Sequence, residues 1–122
     1  MKQVLSVGQC GFDNSGIGRM IRKHFDAEVI TAETIEDTLS ILSQNQVNLL
    51  LINRVLDRDG SSGIELIKLI KADSAIASVP VMLVSNYEDA QDEAVEAGAV
   101  PGFGKAALGT AATIERLRRH LA

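Results

Sequence analysis

Apolar residues along this chain fall into two alternating spacings. Short runs that are apolar on both faces occur at Val4-Leu5-Ser6-Val7, Leu49 to Ile52 and Pro80 to Val84, with weaker ones at Glu28 to Thr31 and Val100 to Phe103. Runs of this kind read as strands buried in a parallel sheet. Between them, apolar residues recur at helical spacing. A first helix is expected from Gly16 to Phe25, with Ile17, Met20, Ile21 and His24 or Phe25 on one face. Thr34 is placed to cap a second, with Asp37 at the capping-box position and Ile35, Leu39 and Leu42 inward. Ser62, with Glu65 three residues on, caps a third carrying Ile64, Leu66, Ile67, Leu69 and Ile70. A fourth runs from Glu88 to Ala97 and is ended by Gly98; Thr110 opens a last one with Ile114, Leu117 and Leu121 inward.

Strict alternation of five strands and five helices predicts a single α/β domain over residues 1–122. The expected fold is (βα)₅, doubly wound, with right-handed crossovers and helices on both faces of the sheet. The composition agrees: 46% of the residues are hydrophobic but only 3% are aromatic, so the core must be built from Ile, Leu, Val and Ala. A net charge of −4 and the lack of a basic patch argue against nucleic-acid binding. The basic stretch Arg116 to His120 complements the carboxyl end of the last helix. The lone Cys10 excludes an internal disulfide and a multi-cysteine metal site, and no apolar run is long enough to span a membrane. A soluble, cytoplasmic protein is expected.

The richest segment runs from Val47 to Asp73. Its strand stops at Asn53, passes through a polar loop to Ser61-Ser62-Gly63, and restarts as a helix. Asn53 therefore sits at the carboxyl end of a central strand, the edge where open α/β sheets place ligands and chemistry. An Asp there could accept a phosphoryl group; the amide of Asn is not a nucleophile at neutral pH. Two loops at this edge, Gly8 to Ser15 and Asn53 to Ser62, look longer than a minimal turn, which marks them as functional candidates.

Four segments together resemble the receiver domain of two-component response regulators, and the resemblance covers the whole chain. Asn48 to Asn53 is similar to the third strand of that family, whose last position is normally the phosphorylated Asp. Gly63-Ile64-Glu65-Leu66-Ile67 resembles the start of its third helix. Val79 to Ser85 resembles its fourth strand, ending in a hydroxyl residue. Ala94 to Lys105 (AVEAGAVPGFGK) resembles its Ala-Gly-Ala…Lys stretch. The resemblance implies a flavodoxin-like sheet of order 2-1-3-4-5. It also implies a mechanism in five parts: an acidic pair for Mg²⁺ after the first strand, a phosphoacceptor Asp, a Ser or Thr, a Lys, and an aromatic on the fifth strand that reports the change to the outer face.

The chain departs from that pattern at three of the five. The acidic pair falls on Gly8 and Gln9, the acceptor on Asn53, and the aromatic on Gly102, with Phe103 displaced by one. Ser85 and Lys105 match. Ala106 replaces the Pro that usually follows the Lys, and the loop after Asn53 is longer and lacks its Pro. The expectation is a pseudo-receiver. It would keep the fold, bind no Mg²⁺ or other cofactor, perform no catalysis, and act in phosphorelay signalling through protein contacts. The resemblance implies a histidine kinase or an output domain as partner, and a homodimer through the face of the fourth helix, fifth strand and last helix, which would carry Tyr87 and Phe103.

Two other readings compete. Asp13 could supply a metal carboxylate, with Asp57 or Asp59 as a relocated phosphoacceptor; the plainer reading makes all three turn residues. Ser85 then satisfies loop backbone groups, Lys105 bonds Asn53 and a strand-end carbonyl, and Cys10 is an idle thiol, with redox sensing its functional alternative. The second competitor takes the glycines from Gly8 to Gly18 as a loop that cradles a nucleotide or another anion. Against it, Gly8 and Gly16 are too far apart for the dinucleotide fingerprint, and Gln91 stands where a Tyr-x-x-x-Lys pair needs its lysine.

Overall fold

The computed structural model describes residues 1–122. The elements follow the expected alternation: β1 (Lys2–Val7), α1 (Gly11–His24), β2 (Ala27–Ala32), α2 (Ile35–Gln44), β3 (Leu49–Asn53), α3 (Gly63–Ala72), β4 (Val81–Val84), α4 (Glu88–Glu96), β5 (Val100–Phe103), one 3₁₀ turn at Lys105–Ala107, and α5 (Ala111–Leu121). All strand pairs are parallel and the order is β2-β1-β3-β4-β5. The doubly wound α/β prediction therefore holds, including the strand order.

Strand alternation divides the core in two. Leu5, Val7, Leu50, Ile52, Val81 and Leu83 point to one face, where α2, α3 and α4 cover them. Val4, Leu49, Leu51, Met82, Val84 and Phe103 point to the other, against Ile17, Met20 and Ile21 of α1 and Ile114, Leu117 and Leu121 of α5. Each of Leu49 to Ile52 is fully buried, as a strand covered on both faces must be. The three predicted caps form: the hydroxyls of Thr34, Ser62 and Thr110 accept from the backbone N–H groups of Asp37, Glu65 and Thr113.

Three expectations need correction. Helix α1 begins at Gly11, not Gly16, so the supposed long loop from Gly8 to Ser15 is a short turn. The hydroxyl of Ser6 in β1 donates to Asn14 Oδ1 at 2.7 Å, and Asn14 Nδ2 donates to the carbonyl of Gln9 at 3.3 Å. These bonds tie the first turn of α1 to β1 and outweigh the poor helix propensity of its Gly, Asn and Ser residues. Gly11, Gly16 and Gly18 are thus helical, and the glycine-loop reading has no loop to use.

The second correction concerns Phe103. Between β4 and β5 the register slips: Met82 pairs with Val100, but Val84 pairs with Phe103, so β5 carries one extra residue. This bulge turns Phe103 into the α1/α5 core, where it is buried; it is not on the outer surface of α4-β5-α5. The third is the loop from Arg54 to Ser62, which is long but folded. Val55 and Ser62 form an antiparallel bridge, and Leu56 is completely buried against the α2/α3 side of the core.

Candidate functional site

The carboxyl ends of β3, β4 and β5 converge on a cleft of about 290 Å³ lined by Asn53, Arg54, Val55, Val84, Ser85, Asn86, Tyr87 and Lys105. The fold thus brings Asn53, Ser85 and Lys105 together from three separate strand ends. A larger hollow, lined in part by Met1, Gln44 and Ala122, lies at the opposite ends of the strands and holds none of them.

Asn53 closes β3, and its side-chain amide is committed. Nδ2 donates to the carbonyl of Gly8 at 3.2 Å and to that of Val55 at 2.8 Å. Both N–H bonds of the amide are thereby used to join the end of β1 to the loop after β3. Gly8 accepts twice, its carbonyl also taking the backbone N–H of Asp57. Its φ of 74° suits glycine, and a Cβ there would run into Leu56. The buried Leu56 side chain therefore covers the turn after β1, where carboxylates would have to stand.

Lys105 does not bond Asn53 or a strand-end carbonyl, as the sequence suggested. Its Nζ lies 2.7 Å from Asp13 Oδ2, in the first turn of α1. That hydrogen bond from the Lys105 ammonium holds the Asp13 carboxyl below its ordinary range; partial burial opposes the shift, and a bond from Cys10 Sγ at 3.2 Å assists it. Ser85 is buried and its Oγ accepts the backbone N–H of Tyr87 at 3.2 Å, so it serves the turn that opens α4. Gln9 is buried too, with Nε2 3.5 Å from the carbonyls of Val7 and Leu51 and with Oε1 unpartnered.

The remaining candidates stand apart. Asp57 and Asp59 are exposed in the folded loop and do not line the cleft. The Asp59 carboxyl is held below its ordinary range, first by the Ser61 hydroxyl and then by the Ser61 backbone N–H, which donates to Oδ1 at 3.0 Å. Cys10 is the N-cap residue of α1, partly exposed, with its thiol turned to Asp13.

Two important residues escaped the sequence reading. Arg54 lies over the Tyr87 ring, 5.1 Å from its centroid, and closes one wall of the cleft. Gln91, on the inner side of α4, serves the bulge between β4 and β5. Its Nε2 donates to the carbonyls of Leu83 at 2.9 Å and Ser85 at 3.1 Å, and its Oε1 accepts the N–H of Gly102 at 3.1 Å. Gly102 leaves room for this, since a Cβ there would strike the Leu83 carbonyl and crowd Gln91. The one available signal was a lone amide at a half-buried place in a helix otherwise made of acids, alanines and a valine.

No family model matches the sequence, and no curated protein matches it. Solved structures do match. A Chloroflexus aurantiacus protein provisionally described as a response regulator superposes with a TM-score of 0.85 at 19% identity, over 97% of this chain and 95% of that one. A response regulator receiver protein from Pseudomonas putida gives 0.79 at 16% identity, over 97% and 96%. The chemotaxis response regulator CheY4 of Vibrio cholerae gives 0.75 at 17% identity, over 99% of each. Strand order, helix placement and these superpositions agree, and the chain has the fold of a response-regulator receiver.

Proposed function

We propose that this chain is a receiver-like signalling domain of a two-component phosphorelay that takes no phosphoryl group at Asn53 and works by contact with other proteins. The observation that carries this reading is the Asn53 amide. At the place where an acceptor carboxylate would stand, an NH₂ group bridges the carbonyls of Gly8 and Val55. Lys105, which would meet the phosphoryl charge, is paired with Asp13 instead. The residues present do not fit Mg²⁺. A hard cation needs several converging oxygens, whereas Asn53 turns nitrogen toward the two carbonyls, Leu56 covers Gly8, and no three His, Cys, Asp or Glu side chains gather. Nothing in the cleft forms a nucleophile–base pair, which supports a binding domain over an enzyme.

The partners proposed are a histidine kinase or an output domain, and a second copy of this chain. Strand β5 is the free edge of the sheet. It is flanked by α4, with five carboxylates and no cation, and by α5, with Arg116, Arg118, Arg119 and His120. A two-fold axis beside β5 would set the acidic helix of each copy against the basic helix of the other. Charge reversal at Arg119 should then shift sedimentation toward monomer.

The test of the central claim is intact-mass spectrometry after incubation with acetyl phosphate and Mg²⁺. The expected result is an unmodified chain. A phosphoryl adduct mapped to Asp13, Asp57 or Asp59 would overturn the reading in favour of relocated acids.

A further inference from the structure

A second concavity, of about 540 Å³, lies beside the strand-end cleft, between the loop after β3 and the first turns of α3 and α4. Its apolar surface comes from Val55, Ile64, Tyr87 and Ala90. Val55 is 41% exposed and Tyr87 60%, two of the few large apolar side chains left open to solvent. Neither sits on a loose segment. Val55 is held by its bridge to Ser62, by the Asn53 amide on its carbonyl, and by Leu56 buried next to it. Tyr87 is the N-cap residue of α4 and is stacked by Arg54.

The rim is acidic. Glu65 of α3 and Asp89 and Glu93 of α4 border the groove, and Arg54 is its only cation. Asp89, Glu93 and Glu96 fall at i, i+4 and i+7, so they form one stripe along α4, with like charges repelling at each step. Arg54 does not neutralise them, being over the Tyr87 ring. Lys68 meets Glu65 at 3.4 Å, an exposed pair of little strength.

We propose that this α3–α4 groove docks a basic amphipathic segment of a partner protein, with an apolar side chain seated among Val55, Ile64, Tyr87 and Ala90 and lysines or arginines along Asp89, Glu93 and Glu65. The apolar floor selects against a purely polar cationic tail, and the acidic rim selects for a segment that carries lysines or arginines over an acidic one. The occupant is a helix-in-groove ligand of two to three turns, about the 14 Å length of nine-residue α4. This surface is on the opposite flank of α4 from β5, so both faces can be occupied at once. The inference rests on the reading of this chain as a protein-contact domain, but not on the dimer.

The test is a ¹H–¹⁵N titration of the full chain with a synthetic Lys/Leu amphipathic helix, and with the same peptide carrying Glu for Lys. The Lys/Leu peptide should give saturable shifts at Val55, Ile64, Tyr87, Ala90 and Glu93, and the Glu/Leu peptide none. Glu93→Lys and Val55→Ser should each weaken binding about tenfold, equivalent to about 1.4 kcal/mol, while Lys23→Glu, exposed on α1, should leave it unchanged. Both exposed substitutions leave the core intact, and unchanged dispersion away from the groove verifies this. The proposal falls if the shifts do not saturate, if they centre on β5 and α5, or if Val55→Ser is indifferent, which would reveal charge attraction alone. It also falls if the groove signals depend on protein concentration without peptide, since the occupant is then a second copy. None of these outcomes bears on the acetyl phosphate result, so the two readings fail separately.

Discussion

Lys105, just beyond β5, and Asp13, in the first turn of α1, form an ion pair with 2.7 Å between Nζ and Oδ2. The pair ties the segment after β5 to α1 and commits the charge of a lysine that lines the strand-end cleft. Its bond to Lys105 is the main reason the Asp13 carboxyl titrates below its ordinary value. A carboxyl depressed in the folded state adds stability above its unfolded pKa, roughly 3.9, and loses it as pH falls through the lower folded value. Asp13→Asn should therefore remove part of the acid-side decline in stability below about pH 4. At neutral pH, where the pair is partly solvent-exposed, the variant should lose only about 1 kcal/mol. Urea midpoints measured across the acid range check both.

Asn53→Asp should destabilise the chain in metal-free buffer. A carboxylate cannot donate, so the carbonyls of Gly8 and Val55 would face oxygen in place of an N–H. The expected loss is about 1–3 kcal/mol. The variant sets a carboxylate beside the carbonyl oxygens of Gly8 and Val55, so Mg²⁺ should restore part of the stability. The unaltered chain should show no Mg²⁺ dependence. Thermal melts with and without Mg²⁺ give the comparison.

Gln91→Ala should loosen β5 selectively. It strands the carbonyls of Leu83 and Ser85 and the N–H of Gly102, in the bulge where ladder bonds are already missing. A loss of about 2–3 kcal/mol is expected. Amide exchange at Gly102 should accelerate while β1 and β3 keep their protection.

Gly8→Ala should be among the most damaging small substitutions. It meets both a positive φ and the side chain of Leu56, and should cost about 2–4 kcal/mol. Leu56→Ala alone should cost about 2–5 kcal/mol through loss of a fully buried side chain. In the double variant the two losses should fall short of their sum, because the alanine at 56 relieves part of the collision. A denaturation cycle on the four proteins measures that coupling.

The sequence by itself determined the elements whose causes are local. Leu49 to Ile52 had to be a strand covered on both faces, because no polar position breaks it. Helices α2, α3 and α5 announced their starts through Thr34, Ser62 and Thr110, whose hydroxyls reach an N–H three residues away. Once these alternated, a parallel sheet with right-handed crossovers followed, while the strand order came from the resemblance to receiver domains. The gathering of Asn53, Ser85 and Lys105 was also legible, since residues that end neighbouring parallel strands share one edge.

Tertiary structure decided what depends on partners distant in sequence. The start of α1 hung on Asn14 bonding Ser6 and Gln9, against the propensities of its own residues. The fate of Lys105 depended on Asp13 arriving within reach from α1, and the burial of Leu56 on the turn at Gly8. Phe103 went inward because an extra residue had to be absorbed between β4 and β5, and the freed backbone groups were taken up by Gln91 from α4. In each case the energy of burying a polar group with its bond made, or of filling space in the core, outweighs local preference. Neither term exists until the chain has brought the partners together.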